Sequence, residues 1–226
     1  TEKIMKHFFY SKCAAVVLFF YCGIVSGTIS QEVPFLTPLR TRGFSLIPTP
    51  QEVQLGAVDI IVDASWTLES KTGTDDIACK RLIQGAEELH KLSFSNRGKK
   101  KIVLGVSPGT IKGTDDPALN EQAYLIRVTE DRVEITGNSK AGLFYGVQSL
   151  LQLLRRNSSG SLILPECVIR DWPDLQLRFV HWDTKHHQKR IETMKRLIDW
   201  HAFFKVNMIA LEIEDKYEYP RHPVIG

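Results

Sequence analysis

Between residues 45 and 170 the apolar positions follow two periods in turn, every second residue and every three to four, as strands and helices require. Val58 to Val62 and Trp66 to Leu68 are rich in β-branched and large apolar residues and predict strands. Thr74, followed by Asp75 and Asp76, starts a helix that Ala78, Leu82, Ala86 and Leu89 carry to about Lys91. Lys101 to Val106 is the next strand. Tyr124, Ile126 and Val128 alternate, Glu130-Asp131 makes a polar turn, and Val133 and Ile135 resume the alternation, which predicts a hairpin. Asn138 or Ser139 caps the most regular helix. Its residues Leu143, Phe144, Val147, Leu150, Leu151 and Leu154 form a stripe broad enough to cover one side of a sheet. Leu162 to Ile169 gives a last strand and completes an α+β domain, a sheet with two helices.

Asp171-Trp172-Pro173-Asp174 interrupts this pattern. Leu177 to Trp182 then reads as a strand, Arg190 to Phe204 as an amphipathic helix, and Met208 to Glu214 as a second strand. That is a βαβ unit, whose strands are parallel and need cover on both faces. Only 56 residues follow position 170, whereas a closed (β/α)8 TIM barrel takes about 250. The chain is therefore expected to be a fragment that stops early in a second domain, 171–226. Upstream, residues 28–44 hold Pro34, Thr37, Pro38, Thr41 and Gly43 without periodicity and read as a linker or extended arm.

The one long apolar run, Cys13 to Val25, follows Lys3, Lys6 and Lys12 and precedes the small residues Ser26 and Gly27. It predicts a signal peptide over 1–27 and export, to the periplasm or outside the cell. The run falls short of the roughly 20 residues needed to cross a bilayer, so no stable membrane span is expected. Removing the leader lowers the formal charge from +3 to +1. With no basic stripe bearing interleaved aromatics, nucleic acid is not an expected partner. Cys79 and Cys167 remain after cleavage, enough for one disulfide that nothing requires, and no CxxC pair suggests zinc.

Gly142-Leu143-Phe144-Tyr145-Gly146-Val147-Gln148-Ser149-Leu150-Leu151-Gln152-Leu153-Leu154 resembles the helix that ends the non-catalytic domain preceding the barrel in family 20 glycoside hydrolases, the β-N-acetylhexosaminidases. Ile47-Pro48-Thr49-Pro50-Gln51 is similar to the opening of that domain, Arg178 with Asp183 to the first barrel strand, and Lys205-Val206-Asn207 to the Lys-x-Asn before the second. Order and spacing agree across 45–220. Ala210 and Glu212 stand where the commonest family pattern has two histidines. Leu211 to Pro220 resembles instead the hexosaminidase D-like branch, with Glu-x-Glu-Asp followed by aromatics.

The resemblance implies a secreted enzyme that removes terminal N-acetylhexosamine from a glycan or glycoconjugate, with no metal or organic cofactor. In that family an Asp-Glu pair after barrel strand four does the chemistry: the Asp orients the 2-acetamido group that attacks the anomeric carbon, and the Glu protonates the leaving oxygen. No Asp-Glu dipeptide occurs in this chain, so no catalytic residue is carried over and the chain alone is expected to be inactive. The resemblance leaves three candidate substrate-binding residues, Arg178, Glu212 and Asp215. The fixed fork of donors on Arg178 suits sugar hydroxyls, and the motif match favours that role over an ion pair with Asp or Glu at the barrel floor. Asp183, five residues on, falls on the opposite strand face unless a bulge intervenes. Glu212 and Glu214 share one face about 6.6 Å apart, on one side of any ligand, whereas glycosidase acids flank the bond. They suit a sugar-hydroxyl or barrel-interior role. Trp182, Tyr217 and Tyr219 suit stacking on sugar faces or core packing.

Other patterns carry less. His181, Asp183, His186 and His187 lack the further ligands of a barrel metallohydrolase. Gly105 to Gly109 has the GxSxG form without the following helix. Asn157-Ser158-Ser159 is an N-glycosylation acceptor in a eukaryotic secretory pathway. The remaining alternatives are a related family 84 N-acetylglucosaminidase or an α-glucuronidase sharing the accessory domain, and a non-enzymatic carbohydrate-binding module. Against family 84, the stretch after Arg178 lacks its Gly and Glu-Gly-Phe-Tyr-Gly signature.

Overall fold

The computed structural model describes residues 36–184, 190–213 and 218–225. The expected leader and the first part of the expected linker lie outside them. From residue 37 the supposed arm is part of the core: Pro38–Thr41 forms a one-turn helix, α1, and Leu39 and Phe44 are only 2% and 1% exposed. Thr37 caps it by accepting the Arg40 N–H, and Pro38 sits where its missing N–H costs nothing. One turn is too short to show a period, which is why the apolar pattern does not reveal it.

The elements then follow as β1 (Glu52–Ile61), β2 (Trp66–Ser70), α2 (Ile77–His90), β3 (Lys100–Val106), α3 (Pro117–Asn120), β4 (Tyr124–Val128), β5 (Arg132–Gly137), α4 (Lys140–Leu153), β6 (Arg155–Arg156) and β7 (Leu162–Asp171). All seven strands join one mixed sheet in the order β1-β7-β4-β5-β3-β2, with β6 beside β7. The hairpin β4–β5 is antiparallel as its alternation predicts, whereas β5, β3 and β2 pair in parallel. Side chains alternate strictly on β5: Val133, Ile135 and Gly137 are buried, while Arg132 and Glu134 on the other face form a 2.7 Å ion pair.

The buried face lies under α4, whose Leu143, Val147, Leu150 and Leu151 join Ile126, Ile135 and Ile169 in the core. Ser139 caps α4 through its Oγ, and Asp76, not Thr74, caps α2. The two helices approach closely because Gly85 has no side chain: a Cβ there would lie 2.5 Å from Leu151 Cδ1. Cys79 and Cys167 are separate free thiols, both buried. Burial pushes the Cys167 thiol up to about 12 and raises that of Cys79.

After Asp171 the chain runs through β8 (Phe179–Asp183), α5 (Ile191–Phe203) and β9 (Met208–Glu212). β8 and β9 are parallel neighbours, with Phe179 opposite Met208 and Asp183 opposite Glu212. Among the described residues no helix is long and apolar enough to cross a membrane.

Candidate functional site

The two faces of the β8–β9 pair differ in chemistry. The register sets Phe179, His181 and Asp183 beside Met208, Ala210 and Glu212 on one face. Trp182 belongs to the other face and packs against His201 of α5, with ring centroids 5.4 Å apart and the planes tilted by 56°. That assigns Trp182 to helix packing. The first face thus points away from α5, and its character changes along the strands: Phe179 and Met208, both about half exposed, lie at the N-terminal end, and ionisable groups gather at the C-terminal end.

At that C-terminal end His181 Nε2 lies 2.9 Å from Glu212 Oε2. The backbone beneath is pinned as well, because the Glu212 carbonyl accepts from both the N–H and the Oγ1 of Thr184, at 3.0 and 2.9 Å. Glu212 is therefore held at fixed height with its side chain 31% exposed, and its carboxyl oxygens suit hydroxyl donors. Among the described residues no group of three His, Cys, Asp or Glu side chains gathers as a metal site. Asp215, Glu214 and Tyr217, like His186 and His187, lie outside the described residues.

Arg178 sits at the opposite end, one residue before β8 and five strand positions from the level of Glu212, about 17 Å away at roughly 3.3 Å per strand residue. The structure does not bring these two candidates together. Arg178 donates from Nε to the Lys205 carbonyl (2.8 Å), from one terminal nitrogen to the Leu175 carbonyl (2.7 Å), and from the other to Gln122 Oε1 (2.9 Å). Its guanidinium carbon also lies 5.1 Å from the Tyr145 ring centroid. These acceptors are two backbone carbonyls and a side-chain amide, all neutral. The adjoining cavity measures about 130 Å3, well below the roughly 300–1,000 Å3 of small-molecule sites. Nε and both terminal nitrogens of Arg178 are thus engaged within the fold. Sequence reasoning missed this because the acceptor, Gln122, is 56 residues away.

Sequence reasoning also missed the character of Lys205. Read as part of a Lys-x-Asn motif, it proves to be a buried cation, 5% exposed, bonded to the Asp171 carboxylate and the Tyr124 hydroxyl. Burial lowers its ammonium from the ordinary lysine range against the opposing pull of Asp171, and burial likewise raises Tyr124 well above the ordinary phenol. Asn207 of the same motif accepts the Arg178 backbone N–H at 2.8 Å and donates to the Gln176 carbonyl at 2.8 Å. The motif thus ties the start of β8 to the start of β9.

Residues 43–172 match the sequence model of glycosyl hydrolase family 20, domain 2. The chain belongs to glycosyl hydrolase family 20. The matched range covers the seven-stranded sheet with α2, α3 and α4 and ends at Trp172, ahead of β8–α5–β9. The chain is 32% identical over 208 residues to a beta-hexosaminidase of Porphyromonas gingivalis, covering 84% of this chain and 26% of that protein. It is 26% identical over 196 residues to a beta-hexosaminidase of Vibrio furnissii, covering 83% of this chain and 30% of the relative. Among solved structures, the family 20 exo beta-N-acetylglucosaminidase of Vibrio harveyi in complex with N-acetylglucosamine superposes with a TM-score of 0.66 at 26% identity. That superposition covers 80% of this chain and 28% of the Vibrio chain. The chain therefore spans between a quarter and a third of the length of these family 20 relatives.

Proposed function

We propose that this chain is the N-terminal part of an exported family 20 β-N-acetylhexosaminidase, with 45–170 as its accessory domain and 171–226 as the start of a (β/α)8 catalytic barrel. The observation that carries this reading is the parallel β8–α5–β9 unit directly after the domain 2 match. One of its faces is turned away from the helix and carries His181, Asp183 and Glu212 at the C-terminal strand ends, where barrel enzymes place their sites. The proposed substrate is a terminal N-acetylhexosamine of a glycan or glycoconjugate, hydrolysed with retention and with the substrate's own acetamido group as nucleophile. No metal or organic cofactor enters this scheme.

Within it, Glu212 and Asp215 are proposed to accept hydroxyl hydrogen bonds from the sugar, with His181 orienting Glu212. Arg178 holds the floor of β8. The Asp-Glu pair that such chemistry needs is not in this sequence, so the 226-residue chain should bind sugar weakly and hydrolyse nothing. Two measurements on the chain test this: release of nitrophenol from 4-nitrophenyl N-acetyl-β-glucosaminide, and N-acetylglucosamine titration followed at the His181 imidazole by NMR. The expected result is no release above blank and a millimolar perturbation of His181 that Glu212→Gln weakens. Release that disappears in Glu212→Gln would show that the chain carries its own catalytic carboxylate and would overturn the assignment of roles.

A further inference from the structure

Lys205 occupies a position whose backbone favours glycine. It follows the C-terminus of α5 with φ of +62°, its N–H bonded to the Ala202 carbonyl and the next N–H, of Val206, to that of His201. This left-handed cap is ordinarily a glycine, because a Cβ there is strained. A lysine kept at such a site, and buried, points to a use for its side chain.

That side chain leaves the β8–α5–β9 unit and ends inside the domain 2 sheet unit. Nζ donates to Tyr124 Oη at 2.8 Å and to Asp171 Oδ2 at 3.1 Å. Tyr124 donates to the same carboxylate oxygen and shares a 2.6 Å bond with Ser149 Oγ, while Asp171 Oδ1 accepts the Gln51 N–H at 3.1 Å. The socket is therefore built from the start of β4, the end of β7, the second half of α4 and the segment before β1, so the charge lands where four segments of the sheet unit meet. The Lys205 and Asp171 side chains are 7% and 9% exposed. Lesser bonds cross the same boundary: Gln152 donates to the Phe203 carbonyl at 2.8 Å and Arg178 to Gln122.

We propose that Lys205 is an interdomain latch: its ammonium, seated in the Asp171–Tyr124–Ser149 socket, fixes the β8–α5–β9 unit on the domain 2 sheet so that the two open as one cooperative unit. A buried ion that loses its partner is strongly unfavourable, so the unit cannot lift away without either stranding Asp171 or rehydrating both charges. The inference does not depend on the glycosidase reading. It makes the sheet unit a fixed pedestal for whatever follows β9.

Hydrogen exchange read by mass spectrometry on the full 226-residue chain tests it. In the unsubstituted protein the slowest amides of α5 and β9 should exchange at the same rate as those of β4 and β7. Lys205→Gly discriminates between causes, because it relieves the left-handed cap while removing the ammonium. With the latch in force, Lys205→Gly and Lys205→Met speed exchange in 191–212 about a hundredfold, as loss of a buried partner implies. Exchange in β4 and β7 stays within a few fold. Tyr124→Phe, which keeps both charges and removes only the bridging hydroxyl, should speed exchange in 191–212 about tenfold, and serves if the Lys205 variants do not fold. Three results would overturn the proposal: α5 and β9 already exchanging far faster than β4 in the unsubstituted chain, unchanged or slower exchange in Lys205→Gly, or an equal rise across both units.

Discussion

Gly142, in the first turn of α4, is the tightest meeting of helix and loop in the sheet unit. A Cβ added there would lie 2.3 Å from the Ala123 carbonyl oxygen. That oxygen cannot simply swing aside, because it accepts the Asn138 N–H at 3.0 Å. Asn138 is itself buried and bonded to the Ile111 N–H, the Ile111 carbonyl and the Asn120 carbonyl. The helix start is also held, by Ser139 Oγ donating to the Glu121 carbonyl at 2.7 Å. In Gly142→Ala the gain in helix propensity is at most about 1 kcal/mol, while forcing an extra methyl into a packed contact costs about 1–3 kcal/mol. The upper half of that range applies because the obstacle is backbone. The expected net loss is about 1–2 kcal/mol, a fall in Tm of roughly 2–8 °C for a chain of this size. Gly105→Ala is the matched control: it lies in β3, where the added Cβ meets nothing nearer than Lys71 Cδ at 3.6 Å. With less chain entropy to lose, that variant should be neutral or stabilised by up to about 1 kcal/mol. Circular dichroism melts of the two variants decide the matter. A Tm for Gly142→Ala that rises with that of Gly105→Ala would refute the argument from close approach.

Three further outcomes follow from the packing. Burial holds His90 below the ordinary histidine value of 6.5, its Nε2 being 2.9 Å from the Leu151 carbonyl. The folded state then favours the neutral ring, so stability is complete above that value and declines as the unfolded chain protonates below it. Urea midpoints from pH 7 to pH 5 should fall less steeply in His90→Gln, and an unchanged slope would count against a role for this ring. Cys79 and Cys167, buried and with raised thiol pKa values, should not react with Ellman's reagent at pH 8 until the chain is denatured; rapid native labelling of either would contradict their placement. Replacing Ser139 by Ala should cost about 1 kcal/mol through loss of the α4 cap, measurable as a lower urea midpoint.

The elements legible in the sequence are those whose pattern is local. The stripe of α4 and the alternation of β4 and β5 need only their own residues to show the buried face, and the structure places them as expected. Parallel pairing of β2, β3 and β5 is different, since nothing in Trp66–Ser70 records that its neighbour is Lys100–Val106. The first half of β1 is less legible because its apolar face is short: only Val53 and Leu55 alternate before Gly56, both partly buried against the core, and the pairing with β7 completes the strand. At the candidate site, the position of Glu212 at a strand end and its face could be read from period two. That Arg178 is taken up by Gln122 and Lys205 could not, and neither could the burial of Lys205. Both depend on contacts spanning 27 to 81 residues. The one available signal was a long cationic side chain next to a helix end where glycine is usual.

The most direct test of the central claim is the sequence of the native transcript through codon 226 and beyond. The account predicts a frame that stays open for a few hundred codons and encodes an Asp-Glu pair after a fourth barrel strand, with a product that hydrolyses terminal N-acetylhexosaminides. A stop codon immediately after Gly226 would contradict it, leaving a family 20 sheet unit with a docked βαβ unit and no hydrolase.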